Sequence, residues 1–196
     1  MSVQPTVLIV PGLRDHVAQH WQTLLAQQLP WVLSVPPMGR EDLDVHARVD
    51  AIERTAQQAD GPIVIVAHSG GCIMVAHWAR QTAIPVHGAL LATPPDFETA
   101  MPEGYPTLDA LRASGWLPVP REPLPFPSIA GISRNDPLGS FVRVSALAHD
   151  WGSRIVDLGE VGHLNPASGY GPWPQARSLI DALARPATAA QAPTLS

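Results

Sequence analysis

Short apolar runs alternate with segments of helical periodicity along this chain, and this alternation constrains the fold more than any other feature. Continuous apolar runs suit strands buried on both faces of a sheet, and apolar residues at helical spacing indicate helices with one buried face. We predict six strands, at residues 7–10, 31–35, 63–67, 88–92, 128–133 and 154–158. Helices are predicted at residues 15–28, 41–58, 70–80, 138–149 and 173–184. Strands joined by helical crossovers form a parallel, doubly wound α/β sheet.

The length of 196 residues fits a single domain. We assign residues 1–185 to this domain and expect residues 186–196, which are rich in Ala, Pro and Thr, to form a flexible tail. Residues 93–127 interrupt the alternation with nine prolines, which prevent long helices and central strands. Because a loop this long in a compact domain usually has a function, we expect it to form a lid or a pocket wall.

The charge balance and the cysteine count exclude several classes of protein. Lys and Arg total 12 against 17 Asp and Glu, a net charge of −5, so neither nucleic acid nor an anionic membrane is an expected partner. No apolar stretch approaches the roughly 20 residues that span a bilayer, and residues 1–5 do not resemble a signal peptide. The lone cysteine, Cys72, cannot form an internal disulfide or a cysteine-rich zinc site, so we expect a cytoplasmic location.

The strongest chemical signal is the sequence Ala-His-Ser-Gly-Gly at residues 67–71. It follows the most apolar strand and precedes a helix, which is the context of a nucleophile elbow with Ser69 as the nucleophile. The turn is tight, so the residues two before and two after the serine must be small, as Ala67 and Gly71 are. Small residues also close ordinary strand–helix turns, so this motif is not sufficient alone.

The order of residues along the chain strengthens this interpretation. In α/β serine hydrolases the acid and then the histidine follow the serine, and here Asp136 and His163 each come just after a predicted strand. Ligands of open α/β sheets bind at that edge. His163 would take the proton of Ser69, and Asp136 would orient the imidazole. Asp157, inside a strand, and Asp150, at a helix end, fit the acid role less well.

The loop after the first strand completes the candidate site. The N–H of Gly70, at a helix N-terminus, and the N–H of Leu13 are the predicted oxyanion-hole donors. Gly12 would let the backbone approach the ligand closely. We expect Trp116 to contribute to an apolar pocket wall, whereas His68 either shapes the pocket or fills the turn. No sequence motif or ligand spacing indicates a nucleotide, another cofactor or a metal.

These residues together resemble the small serine hydrolases of the retinoblastoma-binding-protein-9 and YdeN type, within the α/β-hydrolase superfamily. The resemblance covers about residues 5–184. The matching motifs are Pro-Gly at 11–12 with His-Trp at 20–21, the elbow at 67–71, Asn-Asp-Pro at 135–137, Trp-Gly at 151–152 and Gly-His-Leu-Asn at 162–165.

The resemblance implies an α/β-hydrolase fold with little or no cap domain, a Ser69–Asp136–His163 triad and esterase-like activity on small acyl substrates. Two positions depart from the family pattern. Ala67 replaces the usual first glycine, and Leu138 stands where an aromatic residue is expected, which could alter the pocket wall. The Leu-x-Cys-x-Glu motif of retinoblastoma binding is missing around Cys72, so no such partner is implied.

The sequence therefore predicts a serine hydrolase that cleaves small carboxylic esters through an acyl-serine intermediate. A thioesterase or a small peptidase would use the same triad, and the sequence does not separate these substrates. A binding protein on a hydrolase scaffold is a further alternative, with residues 93–127 holding the partner.

Overall fold

A computed structural model describes residues 4–13, 17–39 and 41–185. Its centre is a six-stranded, all-parallel sheet with the strand order β2-β1-β3-β4-β5-β6. The strands are β1 Thr6–Val10, β2 Val32–Ser34, β3 Ile63–His68, β4 Val86–Ala92, β5 Ser128–Ile132 and β6 Arg154–Asp157. The predicted doubly wound parallel sheet is therefore confirmed.

The part of the chain that the structure describes contains six α-helices, most of which pack on the two faces of this sheet. They are α1 Trp21–Ala26, α2 Val45–Ala56, α3 Gly70–Ala79, α4 Leu108–Ala113, α5 Phe141–Asp150 and α6 Gln175–Ala184. Side chains of α1 and α6 pack with Val64 and Val66 of β3 on one face. Side chains of α2 and α3 pack with Ile63 and Ile65 on the other. Burial on both faces explains why β3 is a continuous apolar run.

Three predicted helices begin three or more residues too early along the chain. The first begins at Trp21 because the Nδ1 atom of His20 accepts the N–H of Gln22 at 3.2 Å and caps the helix. Val17, which continued the apolar period in the sequence, is 40% exposed before that cap. Predicted helix residues 15 and 16 lie outside the described residues.

The other two corrections have the same cause. The carboxylate of Asp44 accepts the N–H groups of His46 and Ala47, so α2 begins at Val45 and not at residue 41. The hydroxyl of Ser140 caps α5, which leaves Leu138 in the preceding loop. In both cases an apolar residue upstream of the cap fits the helical period without belonging to the helix.

The proline-rich segment 93–127 packs against the body of the protein and contains one short helix, α4. Phe97, Trp116, Val119 and Phe126 from this segment are buried in the core on the α2–α3 face. No cap domain is evident in the part of the chain that the structure describes. The predicted flexible tail, residues 186–196, lies outside it. Among the described helices, none combines the length and the apolar character needed to cross a membrane.

Candidate active site

The candidate site lies where the strand order of the sheet changes direction. The chain passes from β1 to β2 on one side, and then crosses to β3 on the other side of β1. The loops that leave β1 and β3 therefore diverge at the carboxyl ends of these two strands. Crevices of this kind are the usual ligand sites of open α/β sheets.

Ser69 occupies a sharp turn between β3 and α3. Its backbone has φ 56° and ψ −133°, a conformation that residues other than glycine rarely adopt. Its N–H donates to the carbonyl of Ala92 at 3.0 Å, and its carbonyl accepts the N–H of Cys72 at 2.9 Å. These bonds hold the turn, whose geometry is that of a nucleophile elbow.

The small residues around Ser69 are required by close backbone contacts. A Cβ atom on Gly71 would lie 2.6 Å from the carbonyl oxygen of Val10, and one on Gly12 would lie 2.9 Å from the Cβ atom of Ser69. The methyl group of Ala67, by contrast, is fully buried within the sheet. The departure from the family's glycine at this position is thus accommodated.

The side chains of Ser69, His163 and Asp136 form one hydrogen-bonded line. The Oγ atom of Ser69 lies 2.8 Å from Nε2 of His163, and Nδ1 of His163 lies 2.8 Å from Oδ2 of Asp136. The side chains of His163 and Asp136 are only 5% and 4% exposed. Because a carboxylate only accepts, Nδ1 carries the proton and Nε2 is left to accept the proton of the serine hydroxyl.

The loop after β5 positions the carboxylate. The Oδ1 atom of Asp136 accepts the N–H of Leu138 at 2.9 Å. The neighbouring Asn135 accepts the N–H of Gly162 at 2.6 Å, which joins the loop of the acid to the loop of the histidine. The two lower-ranked carboxylates lie elsewhere, with Asp157 accepting from Arg134 at 2.8 Å and Asp150 paired with Arg121.

The loop after β6 positions the imidazole through its main chain. The N–H of His163 donates to the hydroxyl of Ser168 at 3.0 Å. The carbonyl of His163 lies 2.9 Å from Nε2 of His68 and 3.4 Å from the hydroxyl of Thr93. The next residue, Leu164, has a positive φ of 47°. Both polar main-chain groups of His163 are therefore held by side chains from outside its immediate turn.

The histidine that precedes Ser69 is 5% exposed. Burial lowers the pKa of His68 well below its usual value, and the nearby His163 and His20 lower this pKa further. A neutral imidazole has one N–H, and a carbonyl can only accept, so Nε2 of His68 donates to His163. His68 thus contacts His163 as well as filling the turn.

A cavity of about 210 Å³ opens beside Ser69. Four predicted pocket or oxyanion residues line it, namely Gly12, Leu13, His68 and Leu138. Besides Ser69 and His163, the remaining lining comes from three stretches whose residues the sequence analysis did not individually assign to the pocket: Val17, His20 and Gln22; Phe97, Met101, Gly104, Tyr105 and Pro106; and Asn165, Pro166 and Ala167. Within the described ranges, no three His, Cys, Asp or Glu side chains come together as a metal site would require.

Trp116 corrects a prediction, because it does not line the cavity. Its side chain is fully buried, and its Nε1 donates to the carbonyl of Leu43 at 2.6 Å. Its ring packs edge-on against Phe97 with centroids 5.4 Å apart, and Phe97 is the residue that faces the cavity. Trp116 therefore supports the pocket wall from behind.

Gly70 is the first residue of α3, so its N–H points out of a helix N-terminus beside Ser69. The side chain of Leu13 covers this position, with Cγ at 3.2 Å from where a Cβ of Gly70 would stand. Cys72, one turn further along α3, is buried, and burial raises the pKa of its thiol well above the usual value. A thiol in that state is a poor second nucleophile.

Comparisons with known proteins agree with this fold. The chain is 28% identical to a YdeN-like hydrolase from Pectobacterium atrosepticum, with 92% of each chain covered and a TM-score of 0.76. The ydeN gene product of Bacillus subtilis is 17% identical, with 91% of this chain and 98% of that chain covered and a TM-score of 0.68. Est1E from Butyrivibrio proteoclasticus, solved with ferulic acid, is 14% identical over 92% of this chain and 86% of that chain, with a TM-score of 0.66.

A search of curated protein sequences found no match. The model of the serine hydrolase family matches residues 7–182, which is most of the chain. This match includes the elbow of Ser69 and the two loops that hold Asp136 and His163. The chain therefore belongs to the serine hydrolase family.

Proposed function

We propose that this protein cleaves small carboxylic esters with an apolar acyl group, through an acyl-serine intermediate. The observation that carries the proposal is the line of hydrogen bonds from Ser69 through His163 to Asp136, at 2.8 Å for each link. A serine hydroxyl is a weak nucleophile until a base takes its proton, and this line supplies the base and its orienting carboxylate.

These positions support the following reaction. The hydroxyl of Ser69 gives its proton to Nε2 of His163 as its oxygen adds to the ester carbonyl. The N–H groups of Gly70 and Leu13 would stabilise the oxyanion. His163 then returns the proton to the departing alcohol, which leaves the acyl group on Ser69. A water molecule, deprotonated by His163, releases the acid and restores the serine.

The cavity supports the choice of acyl group. Leu13, Phe97, Met101 and Leu138 supply apolar surface near Ser69, and the volume of about 210 Å³ suits a short chain or a single ring. Thioesters and small amides pass through the same tetrahedral intermediate, and a thioester of the same acyl group is the nearest competitor. We further propose a small-molecule substrate as the partner and the cytoplasm as the location, which the lone reduced cysteine supports.

The test is labelling with a fluorophosphonate, read by the intact mass of the protein. We expect one adduct on the wild type and none on Ser69→Ala, together with a loss in kcat of about 10⁶-fold on p-nitrophenyl acetate. Ser114→Ala is the matched control, because Ser114 ends α4 away from the cavity, and it should label like the wild type.

A panel of acetyl, butyryl and octanoyl esters, with the matching thioesters, then ranks the substrates by kcat/KM. Higher kcat/KM for every thioester than for its ester would overturn the ester assignment while keeping the hydrolase. Folded wild-type protein that forms no adduct and hydrolyses nothing in the panel would overturn the hydrolase itself and favour a binding protein on this scaffold.

A further inference from the structure

One side chain connects the strand of the nucleophile directly to the loop of the base. His68 is the last residue of β3 and precedes Ser69. Its Nε2–H donates to the main-chain carbonyl of His163 at 2.9 Å, and the ring centroids of the two histidines are 4.9 Å apart. His68 therefore links the two residues directly, because it is next to Ser69 in the chain and is hydrogen-bonded to His163.

The ring of His68 has little freedom to turn away from this bond. Its centroid lies 4.5 Å from that of His20 and 6.0 Å from that of Trp21, and both rings meet it edge-on. Trp21 in turn packs edge-on against Trp173 at 4.9 Å. The aromatic cluster around His68 thus fixes the direction in which its N–H points.

The other support of the same carbonyl is weaker. The hydroxyl of Thr93 lies 3.4 Å from the His163 oxygen, near the upper limit of a hydrogen bond. Without His68 the carbonyl would be left with this one long contact in a buried place, and a buried unsatisfied carbonyl is costly. When the bond from His68 is lost, we expect the loop of His163 to shift, since Leu164 next to His163 holds a strained positive φ that a shift can relieve.

We propose that His68 is a positioning residue, which holds the imidazole of His163 at hydrogen-bond distance from Ser69 by binding the main-chain carbonyl of His163. This inference rests on the hydrolase function proposed above. His68 does not exchange a proton with substrate in this scheme. It keeps the Ser69–His163 contact at its short distance, which the transfer of the serine proton requires.

The test compares two substitutions of His68, one that removes the N–H donor and one that keeps an N–H donor. His68→Leu fills the space but removes the donor, and His68→Gln places an amide N–H close to where Nε2 stands. We expect His68→Leu to lower kcat on p-nitrophenyl acetate by about 10- to 100-fold, because a displacement of about 1 Å in a catalytic group has effects of this size. KM should change by less than about threefold, and His68→Gln should recover most of kcat.

His77 offers a matched control. Its Nε2 also bonds to a main-chain carbonyl, that of Trp116 at 3.2 Å, but it lies outside the cavity. His77→Leu should lower the melting temperature without lowering kcat. The same set of proteins should show the same order in their rates of fluorophosphonate labelling.

Three results would overturn the inference: wild-type kcat in His68→Leu, an equal loss in His68→Gln, or an equal loss in His77→Leu. If His68→Leu does not fold, His68→Asn replaces it, since its shorter amide does not reach the carbonyl and should still fall below His68→Gln. Failure of the proposed function is distinguishable, because then the wild type itself would neither label nor turn over.

Discussion

Ser69 stands in a strained conformation, and small residues pack closely around it. Gly12 lies against its Cβ atom and Gly71 against the carbonyls at the end of β1. The type of residue at these positions was predictable, since a tight turn demands small side chains. The contacts that Gly71 makes were not, because they involve residues about 60 positions away in sequence that only the parallel pairing of β1 and β3 brings near.

Gly71→Ala tests this packing. Its methyl group would lie 2.6 Å from the carbonyl oxygen of Val10 and 2.7 Å from that of Pro11, and backbone atoms of the sheet cannot move aside cheaply. We expect a loss of about 2–3 kcal/mol in the free energy of unfolding by urea denaturation, together with slower labelling of Ser69.

Gly171→Ala is the control, because its nearest neighbour would be the carbonyl of Gln19 at 4.0 Å. This variant should stay within about 0.5 kcal/mol of the wild type. Equal stabilities for the two variants would show that the elbow has room for a side chain at residue 71.

Among the elements, strands were easier to predict than helix ends. Strands buried on both faces read as apolar runs, and each observed strand overlaps its predicted range. Helix starts depend on single capping side chains such as His20, Asp44 and Ser140. The spacing of apolar residues does not show where these capping hydrogen bonds form. Trp116 was misplaced for a related reason: an aromatic residue in a loop can face a cavity or support it from behind, and only the tertiary fold decides which.

The segment 93–127 forms part of the cavity wall through Met101, a half-buried and flexible side chain. Met101→Ala should enlarge the cavity and favour longer acyl groups. We expect the ratio of kcat/KM for p-nitrophenyl octanoate to that for p-nitrophenyl acetate to rise by about 10-fold, since a few methylene groups in an apolar pocket are worth this much.

Leu117→Ala provides the comparison within the same segment, because Leu117 packs against the core and is not a cavity-lining residue. It should leave the octanoate-to-acetate ratio unchanged. A ratio that moves equally in both variants would mean that the segment acts through its general packing and that Met101 does not contact the acyl group.

For the whole molecule, the strand count and the chain order of serine, acid and histidine could be predicted from sequence. The strand order could not, because apolar runs do not state which strands pair. The crevice between the loops of β1 and β3 follows from that order and could not be predicted either, although the meeting of residues 12, 69 and 163 at one site could, because each follows a predicted strand. The hydrogen bonds of Asn135, Ser168 and Thr93 to the loop of His163 could likewise not be predicted, because they depend on the tertiary fold.

The stability of the whole fold should depend on pH through His68. Burial, aided by His163 and His20, holds the pKa of folded His68 well below its usual value, whereas an unfolded histidine titrates near about 6.5. Below that pH the unfolded chain binds a proton that the folded chain does not, so the free energy of unfolding falls as the pH is lowered.

Urea denaturation of the wild type and of His68→Gln at pH 7.5 and pH 5.0 measures this effect. The wild type should lose up to about 2 kcal/mol more than the variant over this interval, because the variant has no proton to bind at residue 68. Parallel losses in the two proteins would show that folded His68 takes up its proton as readily as the unfolded chain does.

The thiol of Cys72 lies one helical turn beyond Ser69, fully buried, with its Sγ atom 3.5 Å from the carbonyl of Ala92. It is the chain's single cysteine, and burial disfavours the thiolate, which is the form that attacks peroxides and disulfides. The proposed chemistry uses an oxygen nucleophile and no accessible thiol. We therefore expect the proposed activity to survive thiol-specific oxidants that would silence a cysteine-dependent hydrolase, and to need no reducing agent during purification or assay.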